Sequence, residues 1–359
     1  MTKRIGILTG GGDAPGLNAV IRAVVLAATR HYGWEVIGIR EGFDGLLNEK
    51  PMLDLTSMDV HDLLARGGTI LGAANRGNPF MRPVAQADGS IIREDRSGEA
   101  LVKLAELGID ALICAGGDGT MAIAQRLVGQ GAHIIGVPKT IDNDLGETDV
   151  TFGFDTAVNT ATDALEKLRT TAESHHRIMV MEVMGRNAGW IALHAGIAGG
   201  ADAILIPEIP FDVQLVCDKI LALRAAGRDY SLVVVAEGAH AKDGTQMYYI
   251  DGDQDQRRLG GVGHHVGEQL AACVGSEVRV TVLGHVQRGG APTPRDRYLA
   301  TLFGTEAVHC VAQERWGHMV AMKSNDITTV PLADAVAMKF VDPAGEIVRA
   351  ARDLGIVFG

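Results

Sequence analysis

The stretch Ala111-Leu-Ile-Cys-Ala-Gly-Gly-Asp-Gly-Thr120 decides how this chain is read, because an apolar run stops abruptly at glycine and aspartate. One helix-length segment later, His133-Ile-Ile-Gly-Val-Pro-Lys-Thr-Ile-Asp-Asn-Asp144 repeats the pattern and ends on lysine, threonine and paired aspartates. Apolar runs that end this way predict buried parallel strands, each delivering a loop to the carboxyl edge of a sheet. Ligands of open α/β sheets bind at that edge. Gly116, Gly117 and Gly119 permit close backbone approach and offer amide hydrogens to phosphate oxygens, and Asp118 among them is a hard oxygen ligand suited to Mg2+. Asp142 and Asp144, beside the Thr140 hydroxyl and Lys139, are the equipment for deprotonating an alcohol next to a phosphoryl group.

Outward from this centre the chain repeats the strand-loop-helix pattern. Arg4-Ile-Gly-Ile-Leu-Thr9 predicts a first strand, and Gly10-Gly-Gly-Asp-Ala-Pro-Gly16 turns into an apolar-periodic helix over 18–29. That loop is either a phosphate cradle at a helix N-terminus or a tight strand-to-helix turn. It is not a Walker A loop and lacks the GxGxxG spacing of a dinucleotide fold. Residues 34–39 predict a second strand, 98–107 a helix and 156–171 another helix. The glycine-rich loop 66–79 carries Arg76. Arg177-Ile-Met-Val-Met-Glu-Val-Met-Gly-Arg186 is a further buried run, with Met179 and Met181 as core filling. Strands follow over 203–207 and 231–238, the latter releasing Glu237 at its end, and 277–290 reads as a last functional strand that gives Arg279, His285 and Arg288. The polar segment 239–260 reads as a surface excursion.

Composition bounds the function. At 359 residues the chain exceeds what one core usually serves, so two domains are expected. Apolar residues make up 47% of it, ample for packed α/β layers. Forty-four acidic against 33 basic residues give a net charge of -11, which argues against nucleic acid as the main partner and requires any anionic substrate to meet locally clustered arginines. Cys114, Cys217, Cys273 and Cys310 form no CxxC pair and read as reduced core cysteines, with neither a zinc site nor a disulfide framework. The N-terminus has no apolar signal segment and no apolar run approaches the length of a membrane span, so a cytoplasmic protein without a membrane partner is expected. The adjacent pairs His175-His176 and His264-His265 suit surface or helix-cap roles better than metal binding. The 142–144 segment lacks the glycine and glutamate of a calcium loop.

Gly11-Gly-Asp-Ala-Pro-Gly-Leu-Asn18, Gly116-Gly-Asp-Gly-Thr120, Thr140-Ile-Asp-Asn-Asp144, Met184-Gly-Arg186 and Leu283-Gly-His-Val-Gln-Arg-Gly-Gly290 appear in this order. Together they resemble the 6-phosphofructokinases of the bacterial A type, over about residues 4–305. The resemblance implies two Rossmann-like, three-layer α/β domains with mostly parallel sheets. The donor domain would be 1–153 plus about 287–338, and the sugar-phosphate domain 154–286 plus about 339–359. The implied reaction is phosphoryl transfer from ATP to the 1-hydroxyl of fructose 6-phosphate, the glycolytic step that yields fructose 1,6-bisphosphate.

Carried over by position, the resemblance makes Asp142 the base and Asp118 the holder of Mg2+. Gly11, Gly12, Arg76, Gly117, Gly119 and Thr120 would surround the nucleotide. Thr140 and Asp144 would support the transferring group, and Arg186 would offset its charge. Ile141, Met184, Gly185, Glu237, His285, Val286, Gln287 and Arg288 would contact the sugar phosphate. Arg177 and Arg279 would reach in from a neighbouring subunit, which implies a homotetramer or homodimer with shared sites. Arginine forks also answer the charge problem set by an acidic protein.

Donor choice rests on Gly119 and Lys139. Gly119 matches ATP users of this family, because the aspartate common there in diphosphate users would repel the α-phosphate. Lys139 resembles the diphosphate users. ATP is the expected donor, a diphosphate-dependent enzyme is the alternative, and a noncatalytic sugar-phosphate or nucleotide sensor is the third reading. The sensor would be favoured by loss of Asp142 or Arg186, and both are present.

Overall fold

The computed structural model describes every residue except 1, 49, 51, 75, 76, 87–89, 243, 245 and 251–257. The chain divides into two compact units. The first comprises Met1–Ile141, Leu145–Asp155 and Arg288–Met338, and the second Asp142–Asp144, Thr156–Gln287 and Lys339–Gly359.

The first unit is built on an eight-stranded sheet. Its order across the sheet is Asp326–Pro331, His318–Lys323, Ile134–Thr140, Ala111–Gly116, Arg4–Thr9, Glu35–Ile39 and Leu53–Asp54, with Phe152–Gly153 paired beside Ile134–Thr140. The inner pairings are parallel, and Cys114 stands opposite Leu8 on one side and Gly136 on the other. Strands covered on both faces need continuous apolar sequence, and Ala111–Gly116 is buried throughout. Helices Leu17–Ala27 and Pro294–Ala312 pack together on one face, where a Cβ on Gly304 would lie 2.8 Å from that of Ala23. The other face is covered by Ser97–Glu106, Asp118–Val128 and Leu332–Ala335, through Leu104, Met121, Ala124, Leu127 and Leu332. Each fully buried Ile or Leu in such a layer contributes about 1.5–3 kcal/mol, so the three-layer packing rather than helix propensity holds the loops in place.

The second unit carries a four-stranded, all-parallel sheet in the order Ala203–Leu205, Ser231–Ala236, Ile178–Val183, Val278–Val282. Alternate side chains face opposite layers. Ala203 and Leu205 join Val216, Ile220, Val266 and Leu270 beneath helices Val213–Ala225 and Val262–Val274. Ile204 faces the other way, onto Gly196 of helix Trp190–Ala198, and helix Phe154–His175 closes that layer with Leu165 against Gly199. Both units thus have the doubly covered, mostly parallel sheet that the sequence predicts. No helix among the described residues is long and apolar enough to cross a membrane.

Two expectations change here. Cys217 and Cys273 are bonded as a disulfide, so only Cys114 and Cys310 are reduced core cysteines. The pair lies on the adjacent helices Val213–Ala225 and Val262–Val274, 56 residues apart in sequence, a proximity that spacing alone conceals. Burial pushes the Cys114 and Cys310 thiols up, which keeps them protonated and inert. The segment 239–260 is not wholly peripheral: Ala239 is fully buried, Phe211 bridges Ala241, and Tyr248–Ile250 pairs antiparallel with Arg258–Leu259. Its residues 251–257 lie outside the described residues.

Candidate active site

In the first unit, three loops meet at the carboxyl ends of adjacent strands. The strand Arg4–Thr9 ends at the glycines 10–12, Ala111–Gly116 ends at Gly117 and Asp118, and Ile134–Thr140 ends at Lys139 and Thr140. Thr120, on the first turn of helix Asp118–Val128, is buried between two of these ends. A Cβ on Gly10 would fall 2.5 Å from its Oγ1, and one on Gly116 would fall 2.3 Å from its Cβ. Real side chains do not tolerate such approaches, so both positions require glycine. The Lys139 ammonium donates to the carbonyl of Gly12, and Lys139 is 3% exposed. Arg288 donates to the Asp13 carbonyl at 3.1 Å and stands against Gly12, where a Cβ would come within 2.7 Å of its Nη1.

Gly119 differs from its neighbours, since a Cβ there meets nothing within 4 Å. Beside it, the Asp118 carboxylate is exposed in the first turn of its helix, where unbonded amides and the helix dipole favour anions. Among the described residues no group of three or more His, Cys, Asp or Glu side chains converges to hold a metal ion. The exposed Asp118 carboxylate is a hard oxygen ligand of the kind that takes Mg2+ together with phosphate and water.

Asn18 contributes a link that the motif reading missed. Its buried side chain donates to the carbonyls of Arg66 and Gly67, both at 3.1 Å, and accepts from Ile70 N–H at 2.9 Å. Thr9 joins the same loop through the Gly72 carbonyl at 2.8 Å. The glycine-rich loop is thereby tied to the first helix. Arg76, further along it, lies outside the described residues.

In the second unit, the corresponding strand ends gather Met184, Gly185, Arg186, Glu237 and Gln287. Glu237 N–H donates to the Val183 carbonyl at 2.9 Å and Gly238 N–H to the Gly185 carbonyl at 3.1 Å. Gly238 must be glycine, because a Cβ would sit 2.0 Å from the Arg186 carbonyl oxygen. Gln287, fully buried, accepts from Met184 N–H at 3.3 Å and donates to the Gly284 carbonyl at 3.0 Å, which fixes the helical turn Gly284–Arg288 carrying His285 and Val286. Arg186 and His285 are exposed. Asp142, Asn143 and Asp144 follow directly on Thr140 and Ile141 of the first unit, so one continuous segment carries the candidate base and its neighbours. Asn143 takes the left-handed conformation, with φ at 52°.

Arg177 and Arg279 do not join this group within the chain. Both are paired with Glu277 at the amino-terminal end of the sheet, by strand rise roughly 17 Å from Met184 at the level of Arg279, opposite Met179, and roughly 23 Å at Arg177. The Arg177 hydrogen bond, with the Arg177 and Arg279 charges behind it, holds the Glu277 carboxyl below the usual carboxylate range.

Glu208, Trp190 and Lys339 escaped the sequence reading altogether. Glu208 accepts from Gly189 N–H, just ahead of helix Trp190–Ala198, at 3.0 and 3.1 Å, and from Val341 N–H at 2.9 Å. Burial pushes its carboxyl up, and those amide bonds oppose the shift. Trp190 donates its indole N–H to the Lys339 carbonyl at 3.1 Å. No spacing in the sequence marks these contacts, because their partners lie far apart along the chain.

A family profile described as "Phosphofructokinase" matches residues 4–311. The chain is 55% identical over 358 residues to the ATP-dependent 6-phosphofructokinase of Chloroflexus aggregans, covering 99% of this chain and 98% of that one. It is also 49% identical to the pyrophosphate--fructose 6-phosphate 1-phosphotransferase of Streptomyces coelicolor, across 99% of this chain and 100% of that one. Among solved structures, Pichia pastoris phosphofructokinase superposes with a TM-score of 0.79 at 37% identity, over 94% of this chain and 38% of that longer one.

Proposed function

Since this chain belongs to the phosphofructokinase family, we propose that it transfers the terminal phosphoryl group of ATP to the 1-hydroxyl of fructose 6-phosphate, giving fructose 1,6-bisphosphate and ADP. The observation that carries ATP as donor is the open space at Gly119, beside an exposed Asp118, where nearby Gly10, Gly12 and Gly116 have no room for a Cβ. A nucleotide phosphate has room there that a side chain would remove.

In this reading the first unit binds the donor through Gly11, Gly12, Arg76, Gly117, Gly119 and Thr120. Asp118 would hold Mg2+, which neutralises charge on the donor phosphates when bound. Thr140 and Asp144 steady the transferring group, and Arg186 offsets its charge. Asp142 accepts the proton of the sugar hydroxyl as that oxygen attacks phosphorus. The second unit, through Met184, Gly185, Glu237, His285, Val286 and Gln287, together with Ile141 and Arg288, binds the sugar phosphate. Arg177 and Arg279, held by Glu277 at the far end of the sheet, serve a neighbouring subunit's site, so the working enzyme is a homotetramer or homodimer.

Lys139 favours a second reading, with inorganic diphosphate as donor. It is buried under the Gly12 carbonyl and resembles the donor-contacting lysine of diphosphate users, and a relative of that name is 49% identical. The deciding experiment supplies purified protein with fructose 6-phosphate, Mg2+ and either ATP or diphosphate, and follows fructose 1,6-bisphosphate. Product with ATP alone supports the leading reading, product with diphosphate alone transfers the assignment to the second, and no product with either leaves the sensor.

A further inference from the structure

The turn that carries Asp142 is held from behind by a residue distant in sequence. Lys339 donates its backbone N–H to the Asp144 carbonyl at 2.7 Å, and its ammonium donates to Asn143 Oδ1 at 3.3 Å. Asn143 and Asp144 are buried, and Asn143 has a positive φ, which asparagine tolerates better than most non-glycine residues. Lys339 is itself fixed on its other side. Its carbonyl accepts from the Trp190 indole, its ammonium lies 5.6 Å from the centre of that ring, and Glu208 secures Val341 two residues on.

We propose that Lys339 is a positioning residue for phosphoryl transfer, setting the conformation of the Asp142–Asp144 turn through Asn143 and thereby the aim of the Asp142 carboxylate. The inference rests on Asp142 being the base. A backbone bond and a side-chain bond from one residue fix both the path of the turn and its twist. One bond goes to a backbone carbonyl and the other to Asn143, so neither engages a side chain assigned to donor or sugar, and the effect falls on turnover rather than on binding.

Lys339→Met keeps the stem and the backbone bond but removes the bond to Asn143. Turnover is expected to fall at least about tenfold, the scale of small misplacements of a catalytic group, with KM for fructose 6-phosphate and for the donor unchanged. Asn143→Gly, which tolerates the positive φ, should produce a similar loss, and the double variant should be no slower than the slower single one. Lys339→Arg, which retains a donor, should recover most of the turnover. Were Lys339→Met to unfold, Asn143→Gly carries the same test. Wild-type turnover in Lys339→Met, losses that multiply in the double variant, or a rise in KM alone would each overturn the proposal. Asp142→Ser run alongside separates the layers: if it stays active, the base assignment fails first, whereas an inactive Asp142→Ser beside a fully active Lys339→Met refutes only the role of Lys339.

Discussion

Thr120 Oγ1 lies where it would stand 2.5 Å from any Cβ on Gly10, so one threonine keeps the first glycine loop and the end of the central strand in contact. Gly116 meets the same side chain even more closely, at 2.3 Å. Gly116→Ala must push Thr120 out of its site and is expected to cost about 1–3 kcal/mol, the usual range for overpacking a tight core. Gly119→Ala, entering open space in the first turn of helix Asp118–Val128, should leave the denaturation midpoint at or slightly above wild type. Paired urea melts of the two variants check the contrast, and equal loss in both would show that the loop is not packed on Thr120.

The open space at Gly119 makes Gly119→Asp a clean probe of donor choice. The fold has room for the carboxylate, so thermal stability should hold, and any kinetic change reports on the ligand. A second anion beside the donor phosphates should reduce kcat/KM for ATP selectively and tilt the ratio of ATP to diphosphate use toward diphosphate. Unaltered ATP kinetics would remove the physical basis for assigning ATP.

Asp142→Ser removes the carboxylate while keeping a small polar side chain on the turn. If Asp142 takes the hydroxyl proton, turnover should drop about 10²–10⁴-fold, the usual worth of a positioned general base. KM for fructose 6-phosphate should change little, because the sugar contacts assigned to Met184, Glu237 and Gln287 remain. Steady-state kinetics with each substrate varied in turn give both numbers.

What could be read without coordinates follows the range of the interactions involved. Ala111–Gly116 is an uninterrupted apolar run ending in glycine, and Ile178–Val183 is an apolar run broken only by Glu182 with Gly185 just beyond it, a pattern that a strand buried on both faces imposes locally, so the parallel sheets and their loop-bearing edges were legible. Gly116 and Gly119 look equivalent in sequence, yet one is closed by Thr120 and the other open, a difference only packing creates. Lys339 acts on Asn143 across 196 positions, in a segment past the quoted motifs. Glu208 does the same for Val341 across 133. Such contacts leave no periodicity behind.

The Cys217–Cys273 bond was hidden for the same reason, and it has a measurable consequence. It ties helices Val213–Ala225 and Val262–Val274 on one face of the second unit's sheet. Closing a loop of this length restricts the unfolded chain, which typically stabilises a protein by about 2–4 kcal/mol. Denatured, unreduced protein should therefore show free thiols only at Cys114 and Cys310. Dithiothreitol should lower the urea midpoint of wild type and leave Cys217→Ala/Cys273→Ala unaffected, whereas four titratable thiols before reduction would refute the bond.

His194 gives the second unit a defined response to acid. It lies on helix Trp190–Ala198, and burial first, then the Lys339 charge, holds its pKa below the ordinary value of 6.5. Above that pH the imidazole is neutral in folded and unfolded chains alike and contributes nothing. As pH falls below 6.5, the unfolded chain takes up a proton that the folded one resists, so stability is lost progressively until the folded pKa is passed. Glu208 works in the opposite sense, because a carboxyl raised by burial favours the folded state more as acid protonates it. The difference between proteins isolates the histidine: His194→Gln should be destabilised less than wild type when urea melts are moved from neutral pH toward pH about 5. Lys339→Met should show an intermediate loss, since it relieves the charge but not the burial. Identical pH dependence in wild type and His194→Gln would mean that the folded imidazole titrates as freely as an exposed one.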